Sequence, residues 1–375
     1  MLSPIFDSQY WAPVPFHFWS LVFFVFGAVV GSFLNVCIYR LPLGQSVVSP
    51  SSHCPYCNYS IPWYLNIPLI TWLYLRGKCK NCGAPISIRY FLVELLTGIT
   101  FMACWLGFGR QSALLALIYA LLLAGLIVAT FIDFEHFIIP DEITIGGMVV
   151  GFLCSFMPAL HHESSLTGGL KQSLLGMAAG GGVVYLILRM GKLLFGRQKV
   201  ALSLDTKIVF GETAVQLPDR DLLYADLFYR ASDVIALQAK TVELVDRCYK
   251  NVAVRLSPSR LQIGEERLNP EEVPHLEAIS GEITLPREAM GLGDVKFMGA
   301  IGAFLGWKAV LFSLVVSSFI GALVGMVLVV SGKRALSSRL PYGPYIALAA
   351  VIWIFFGADL LSWYVGVINR MVGRS

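Results

Sequence analysis

Charged residues are scarce in this sequence. Only 14% of its 375 residues are Asp, Glu, Lys or Arg, whereas 56% are hydrophobic, and the mean hydropathy is +0.69. A soluble domain needs a far more charged surface. The shortage of charge therefore excludes a purely soluble protein, and the small net charge of +4 gives no reason to expect a nucleic-acid partner.

The apolar residues gather in long runs, and there is no internal repeat or low-complexity tract. About 20 apolar residues are needed for a helix to cross a bilayer. We predict an all-α polytopic membrane protein with about eight transmembrane helices. Their predicted ranges are 17–39, 90–108, 112–132, 142–160, 173–195, 295–307, 310–331 and 345–368.

Basic residues in the short loops predict the orientation of these helices. If the N-terminus lies outside, the inner loops carry Arg40, Arg76, Lys78, Lys80, Arg89, Lys192, Arg197, Lys199, Lys333, Arg334 and Arg339. The outer side then carries only five basic residues, Arg110, Lys171, Lys308, Arg370 and Arg374. This bias predicts that both termini lie outside.

Two polar stretches interrupt the membrane pattern and lie inside in this orientation. Residues 40–89 form a loop with paired cysteines. Residues 197–290 carry alternating segments such as "NVAVRLS" and turn signals such as "LNPEE", which predict a small soluble insert containing β-strands. We therefore divide the chain into 1–110, 111–196, 197–290 and 291–375.

The paired cysteines have the spacing of a metal site. "HCPYC" and "KCKNC" supply Cys54, Cys57, Cys79 and Cys82, with 21 residues between the two pairs. Two such knuckles can close a tetrahedral four-thiolate site, and disulfides do not persist in the cytoplasm. We predict a structural zinc ion, with free thiols or redox chemistry as the alternatives.

Two carboxylates stand where apolar runs meet water. Asp133 ends the third run in "FIDFEHFIIPDEIT", and Asp294 begins the sixth in "GLGDVKF". In the predicted orientation both lie at the inner membrane boundary. A pair of carboxylates can divide the work of amide hydrolysis, one as base and one as acid. Gly291 and Gly293 would let the backbone approach a substrate strand closely.

Other interpretations of these carboxylates remain open. Asp294 could be only a helix cap, and Asp133 only a boundary charge. Asp141, Glu135 and Glu142 compete as the second carboxylate. A proton-coupled transporter with a zinc-binding regulatory loop would also use intramembrane carboxylates. The interiors of the runs are nearly free of charge, however, and Glu94 and Arg189 both lie near an end of their run.

Five segments, in order, resemble bacterial type IV prepilin peptidases. They are "GAVVGSFLNVCIYRLP", the cysteine loop with "IPWYLNIPLITWLYLRGKCKNCGAPISIRYFLVELLTG", "FIDFEHFIIPDEIT", "REAMGLGDVKFMGAIGAFLGW" and "LPYGPYIALAA". The fourth contains the family's G-x-G-D signature.

The resemblance implies an inner-membrane aspartic endopeptidase with eight helices and an active site that faces the cytoplasm. Its substrates would be type IV prepilins or type II secretion pseudopilins, cut at the lipid boundary, and it would methylate the new N-terminus with S-adenosylmethionine. Asp133 and Asp294 match the catalytic pair, Asp141 matches a position that is not catalytic, and the four cysteines match the metal-binding loop. Glu135, Glu142 and Glu288 are candidates to attract the basic leader.

Two departures from the family pattern limit this expectation. Leu65 stands where the family has an acidic residue, in the loop associated with methyl transfer, so a peptidase without methyltransferase activity is the alternative. No glycine-rich nucleotide-binding pattern locates the methyl donor; Gly31, Asn35 and Arg40 are candidates by position, although helix packing explains Gly31 equally well. The 197–290 insert could position substrate, contact pilus or type II secretion assembly proteins, or be a tolerated loop expansion. A non-enzymatic assembly scaffold is a third possibility.

Overall fold

The computed structural model describes residues 15–157, 160, 165–195, 197–218, 220–228, 233–273, 275–286, 291–331 and 340–371. The chain forms two compact units. The first comprises Met1–Tyr185 with Gly291–Ser375, and the second comprises Leu186–Met290.

Helices dominate the first unit. In chain order the α-helices of both units are α1 (Phe16–Arg40), α2 (Ile70–Tyr74), α3 (Ile88–Phe108), α4 (Ala113–His136), α5 (Asp141–Cys154), α6 (Leu166–Phe195), α7 (Tyr224–Leu227), α8 (Leu292–Val330) and α9 (Gly343–Met371); the short α7 lies in the second unit. Within the described residues, six of them (α1, α3, α4, α6, α8 and α9) are long and apolar enough to cross a membrane. Their outward side chains suit lipid, since Leu21, Val315 and Phe319 are at least 60% exposed. The chain is a multi-pass membrane protein.

The predicted count of eight spans is not confirmed. In the part of the chain that the structure describes, α5 has only 14 residues, and the predicted sixth and seventh runs fall in the single element α8, which Gly306 interrupts with φ 78° and ψ 174°. A Cβ on Gly302 would lie 3.0 Å from Cγ2 of Val310, whereas residues eight apart in a straight helix are about 12 Å apart. The chain therefore bends back sharply at Gly306, in a conformation that suits glycine.

Glycines allow the helices of the first unit to pack closely. A Cβ on Gly27 would lie 2.7 Å from the carbonyl oxygen of Thr97, so α1 approaches the backbone of α3. A Cβ on Gly176 would lie 2.0 Å from the carbonyl oxygen of Gly302, so α6 and α8 are in backbone contact there. Side chains larger than glycine would separate these helices.

The second unit contains an eight-stranded antiparallel sheet, in the order β3-β2-β1-β8-β4-β5-β6-β7. The strands are β1 (Arg197–Phe210), β2 (Ala214–Leu217), β3 (Arg220–Leu223), β4 (Ile235–Glu243), β5 (Cys248–Ser257), β6 (Arg260–Ile263), β7 (Glu266–Leu268) and β8 (Leu276–Pro286). Ile235, Leu237 and Ala239 alternate into its core, as the two-residue period of a strand requires. The predicted β-containing insert is confirmed, so "all-α" is too narrow for the whole chain.

Candidate active site and metal centre

Asp133 lies in the last turn of α4, close to the beginning of α9. Its side chain is only 5% exposed. Oδ2 accepts a hydrogen bond of 2.8 Å from the backbone N–H of Gly343, the first residue of α9. An N–H at the start of a helix has no intrahelical acceptor, so it is free to hold this carboxylate.

Asp294 lies in the first turn of α8 and is 9% exposed. Gly291 is the N-cap of this helix, and its N–H donates to Oδ2 of Asp294 over 3.2 Å. The positive end of the helix dipole favours a carboxylate there. Asp294 is therefore not the N-cap residue itself, as the capping interpretation expected, but it contributes to the cap by accepting this N–H. That contact does not exclude a chemical role.

Ile139 connects the surroundings of the two aspartates. A Cβ on Gly293 would lie 3.5 Å from Cβ of Ile139, and a Cβ on Gly343 would lie 3.1 Å from its Cδ1 and 2.8 Å from Oδ2 of Asp133. Asp294 directly follows Gly293, and Oδ2 of Asp133 is bound to Gly343, so both aspartates border Ile139. The ends of α4, α8 and α9 thus converge on one small region.

The other carboxylates that were candidates for the second catalytic residue form ion pairs or are exposed to solvent. Asp141 accepts a hydrogen bond of 2.6 Å from Nζ of Lys296 and is 58% exposed. Glu135 forms an ion pair with Arg89, and Glu142 is exposed. Glu288 lies outside the described residues. Among the acidic residues of the two aspartate motifs that the structure describes, only Asp133 and Asp294 are buried.

A second layer of contacts holds the residue that binds Asp133. The hydroxyl of Tyr342 hydrogen-bonds with Oγ of Ser317 and of Ser318, both over 2.9 Å. These bonds tie the chain just before Gly343 to α8. Sequence reasoning missed this function of "PYGP", because it joins residues that are far apart in the chain; the two prolines around Tyr342 and Gly343 were the only local signal.

The four predicted metal ligands lie together in the loop between α1 and α3. The sulfur atoms of Cys54, Cys57, Cys79 and Cys82 all lie within 4.8 Å of one another, and those of Cys54 and Cys82 are 3.8 Å apart. Four thiolates around a tetrahedral zinc ion, at about 2.3 Å each, are separated by about 3.8 Å. The cluster could hold such a metal ion.

The two cysteine pairs have the same backbone design. In the first pair, the N–H of Cys54 donates to the carbonyl oxygen of Tyr59, and the N–H of Asn58 donates to the carbonyl oxygen of Cys54. In the second pair, Cys79 donates to Ala84 and Gly83 donates to Cys79 in the same way. Asn58 and Gly83 both adopt a left-handed conformation, with φ of 52° and 72°. Each pair is therefore a tight turn that points two sulfurs toward one place.

Local hydrogen bonds favour the thiolate form that a metal requires. Backbone N–H groups of Cys82 and Asn81 donate to the Cys79 sulfur and lower its pKa to about 6. The side-chain amide of Asn81 likewise lowers the pKa of Cys57. The loop therefore stabilises negative charge at two of the four sulfurs, those of Cys57 and Cys79. At Cys82, despite a backbone hydrogen bond from Ala84, burial and the neighbouring sulfurs raise the pKa to about 11.

Two protein-family models match this chain. Residues 25–108, which include all four cysteines, match the bacterial peptidase A24 N-terminal domain. Residues 120–204 and 278–326, which include Asp133 and Asp294, match the type IV leader peptidase family. This chain belongs to that family.

Several curated proteins are similar over nearly the whole chain. The prepilin leader peptidase/N-methyltransferase of Aeromonas hydrophila is 28% identical over 94% of this chain and 95% of its own length. The protein of that name from Legionella pneumophila is 25% identical over 93% and 95%. The one from Myxococcus xanthus is 45% identical, over 43% of this chain and 45% of its own length. No solved structure matches the chain significantly.

Proposed function

We propose that this protein is an integral-membrane aspartic endopeptidase that removes the leader peptide from type IV prepilins or type II secretion pseudopilins. One observation carries the proposal: two buried carboxylates, Asp133 and Asp294, lie at helix ends that converge around Ile139. Membership of the type IV leader peptidase family supports the substrate class.

In this mechanism the two aspartates share the chemistry of amide hydrolysis. The ionised one takes a proton from a bound water, and the protonated one donates to the scissile carbonyl oxygen. Oδ2 of Asp133 is held by the N–H of Gly343, and Oδ2 of Asp294 by that of Gly291. The other oxygen of each carboxylate is the one that meets water and substrate, and Gly291 and Gly293 border the extended leader.

The position of the pair suits a membrane-anchored substrate. Asp133 lies three residues before the end of α4, and Asp294 is the third residue of α8, so both lie near the water boundary of a membrane helix. A prepilin has a charged leader followed by an apolar helix, which places its scissile bond at the same level. We assign this level to the cytoplasmic face of the bacterial inner membrane, with both termini on the other side.

We also assign the methyl-transfer and metal functions to the first unit. The names of the relatives support N-methylation of the new N-terminus, for which the sulfonium of S-adenosylmethionine supplies the methyl group. Cys54, Cys57, Cys79 and Cys82 would hold a structural zinc ion, since four thiolates leave no open position for catalysis.

The role of the second unit is a separate proposal. In the described part of this unit a cavity of about 560 Å³ is lined by Phe210, Tyr224, Phe228, Leu256 and Leu276, among others. An apolar depression on a soluble sheet is typical of a protein contact. We assign this unit to contact with pilus or type II secretion assembly proteins.

Co-expression with a prepilin, followed by intact mass of the product, tests the peptidase. Asp133→Asn and Asp294→Asn should each slow leader removal by at least about 100-fold, because each removes one proton-transfer group, while the protein still accumulates in the membrane. Asp141→Asn is the matched control and should process normally. If either catalytic variant cleaves like the wild type, the pair is wrongly assigned. The methyl group is scored separately by mass.

A further inference from the structure

A second pair of buried polar residues, which leader removal does not use, lies between α1 and α3. Asn35 on α1 is 2% exposed, and Glu94 on α3 is 8% exposed. The helices are in close contact beside them, since a Cβ on Gly31 would lie 2.7 Å from Cα of Glu94. Polar groups buried at such a contact are costly unless they are hydrogen-bonded.

The side-chain oxygen of Asn35 is a buried acceptor without a donor. The amide nitrogen donates to the backbone oxygens of Tyr90, at 3.0 Å, and Gly31, at 3.3 Å. Both neighbours are carbonyl oxygens, so the nitrogen must face them and the oxygen must face away. Among the residues that the structure describes, nothing donates to Oδ1. This atom can accept a hydrogen bond from a bound ligand.

Glu94 adds a carboxylate to the same place. Its Oε2 accepts from the N–H of Leu69 over 2.7 Å. Gly31, where an added Cβ would meet Cα of Glu94, and Asn35 are four residues apart on α1 and therefore lie on one face of that helix. In the described chain no lysine or arginine pairs with Glu94. The cluster offers acceptors and negative charge, so a cationic donor fits it.

The cluster lies at the same end of the helices as the aspartates. Arg89 in the first turn of α3 pairs with Glu135 near the end of α4, two residues after Asp133. Glu94 follows Arg89 by five residues, which is about 7.5 Å along α3. An amine released at Asp133 and a group bound at Glu94 would therefore be on the same side of the membrane.

We propose that Asn35 and Glu94 bind the primary amine that leader removal exposes, and that Glu94 prepares this amine for methylation. The inference rests on the proposed methyl-transfer function. Asn35 Oδ1 and the Glu94 carboxylate accept from the ammonium group, and Glu94 then takes one proton. The freed nitrogen lone pair forms a bond to the methyl carbon of a sulfonium donor, the carbon–sulfur bond breaks, and its electron pair stays on sulfur.

Asn35 and Glu94 could equally bind the amino group of the methyl donor. Binding measurements must therefore distinguish the amine of the processed substrate from the amine of the donor. One probe is a synthetic apolar peptide with a free N-terminal amine, compared with the same peptide after N-acetylation. The other is S-adenosylhomocysteine. The wild type should bind the free-amine peptide at least about tenfold more tightly, because a buried carboxylate favours a cation that also donates hydrogen bonds. Glu94→Gln and Asn35→Leu should lose this preference and keep S-adenosylhomocysteine binding.

Product mass then separates this role from a structural one. Glu94→Gln keeps an oxygen for the N–H of Leu69 but cannot take a proton, so leader removal should continue while methylation falls at least about 100-fold. Glu94→Ala should lose methylation to the same extent. Thr97→Val is the matched control in the same helix contact, because the Thr97 hydroxyl donates only to Val93 of its own helix; it should cleave and methylate normally.

Several results would overturn the proposal. One is wild-type methylation by Glu94→Gln, and another is an equal loss of cleavage and methylation, which would make Glu94 structural. If Glu94→Gln or Asn35→Leu loses S-adenosylhomocysteine binding but keeps the preference for the free amine, the cluster binds the methyl donor instead of the substrate amine. If the wild type never methylates but still prefers the free-amine peptide, the methyl-transfer function is refuted and the amine-binding site is retained. If the wild type shows no preference for the free amine, the amine-binding site itself is refuted.

Discussion

The cluster of four cysteines and the aspartate pair are built in opposite ways. Each half of the cysteine cluster is a turn of six residues whose hydrogen bonds close within it, from Cys54 to Tyr59 and from Cys79 to Ala84. The aspartate pair depends on long-range contacts: Gly343 holds Asp133 from 210 residues away. A local design withstands change elsewhere in the chain, whereas the aspartate pair depends on how three helix ends meet.

The largest effect that this difference predicts belongs to Gly343→Ala. The new Cβ would lie 2.8 Å from Oδ2 of Asp133 and must displace the carboxylate. Displacement of a reacting group by about 1 Å can cost about 100-fold in rate, so leader removal should fall by that order. Gly366→Ala, on the same helix with no described atom within 4 Å of the new Cβ, should cleave normally. Wild-type cleavage by Gly343→Ala would mean that this contact does not position Asp133.

A smaller effect on leader removal is expected from Cys79→Ser. Loss of one thiolate should reduce bound zinc from about one ion per chain to nearly none and should lower the unfolding temperature. Leader removal should decrease by less than about tenfold in the folded fraction, because the metal loop supplies no proton-transfer group. Metal analysis and prepilin processing measure the two quantities.

Cys248→Ser is the control for this variant, since Cys248 is exposed and lies outside the cluster. The contrast between the two sites fails if Cys79→Ser stops cleavage as completely as Asp133→Asn does.

The smallest effect is expected from Tyr342→Phe. It removes the hydroxyl that hydrogen-bonds with Ser317 and Ser318 and leaves the ring in place. Stability should fall by about 1 kcal/mol, and leader removal by a few-fold, because Gly343 is held less firmly. Tyr364→Phe, on an exposed side chain of α9, serves as the control. A loss of cleavage equal to that of Gly343→Ala would show that Tyr342 has a role beyond support.

The same contrast decides what the sequence could predict. The cysteine spacing contains the whole design of the cysteine cluster, so the meeting of its four sulfurs could be predicted from local pattern. The two aspartates were found by their motifs, but Gly343 and Tyr342 were not connected to them, because hydrophobic periodicity does not record which helix ends meet. The bend at Gly306 could not be predicted for a similar reason. A short apolar run has the same sequence pattern whether the helix tilts, continues or turns back. Asn35 and Glu94 were noticed only as separate positions, since their common burial arises where α1 meets α3.

The pH dependence of kcat for leader removal tests the shared proton of Asp133 and Asp294 most directly. A pair that works with one proton should give a bell-shaped profile, because both the fully ionised and the fully protonated forms are inactive. The profile should keep this shape in Asp141→Asn and Glu135→Gln, which remove the neighbouring exposed carboxylates. A profile with a single limb, or a bell that disappears in either of these variants, would contradict the account.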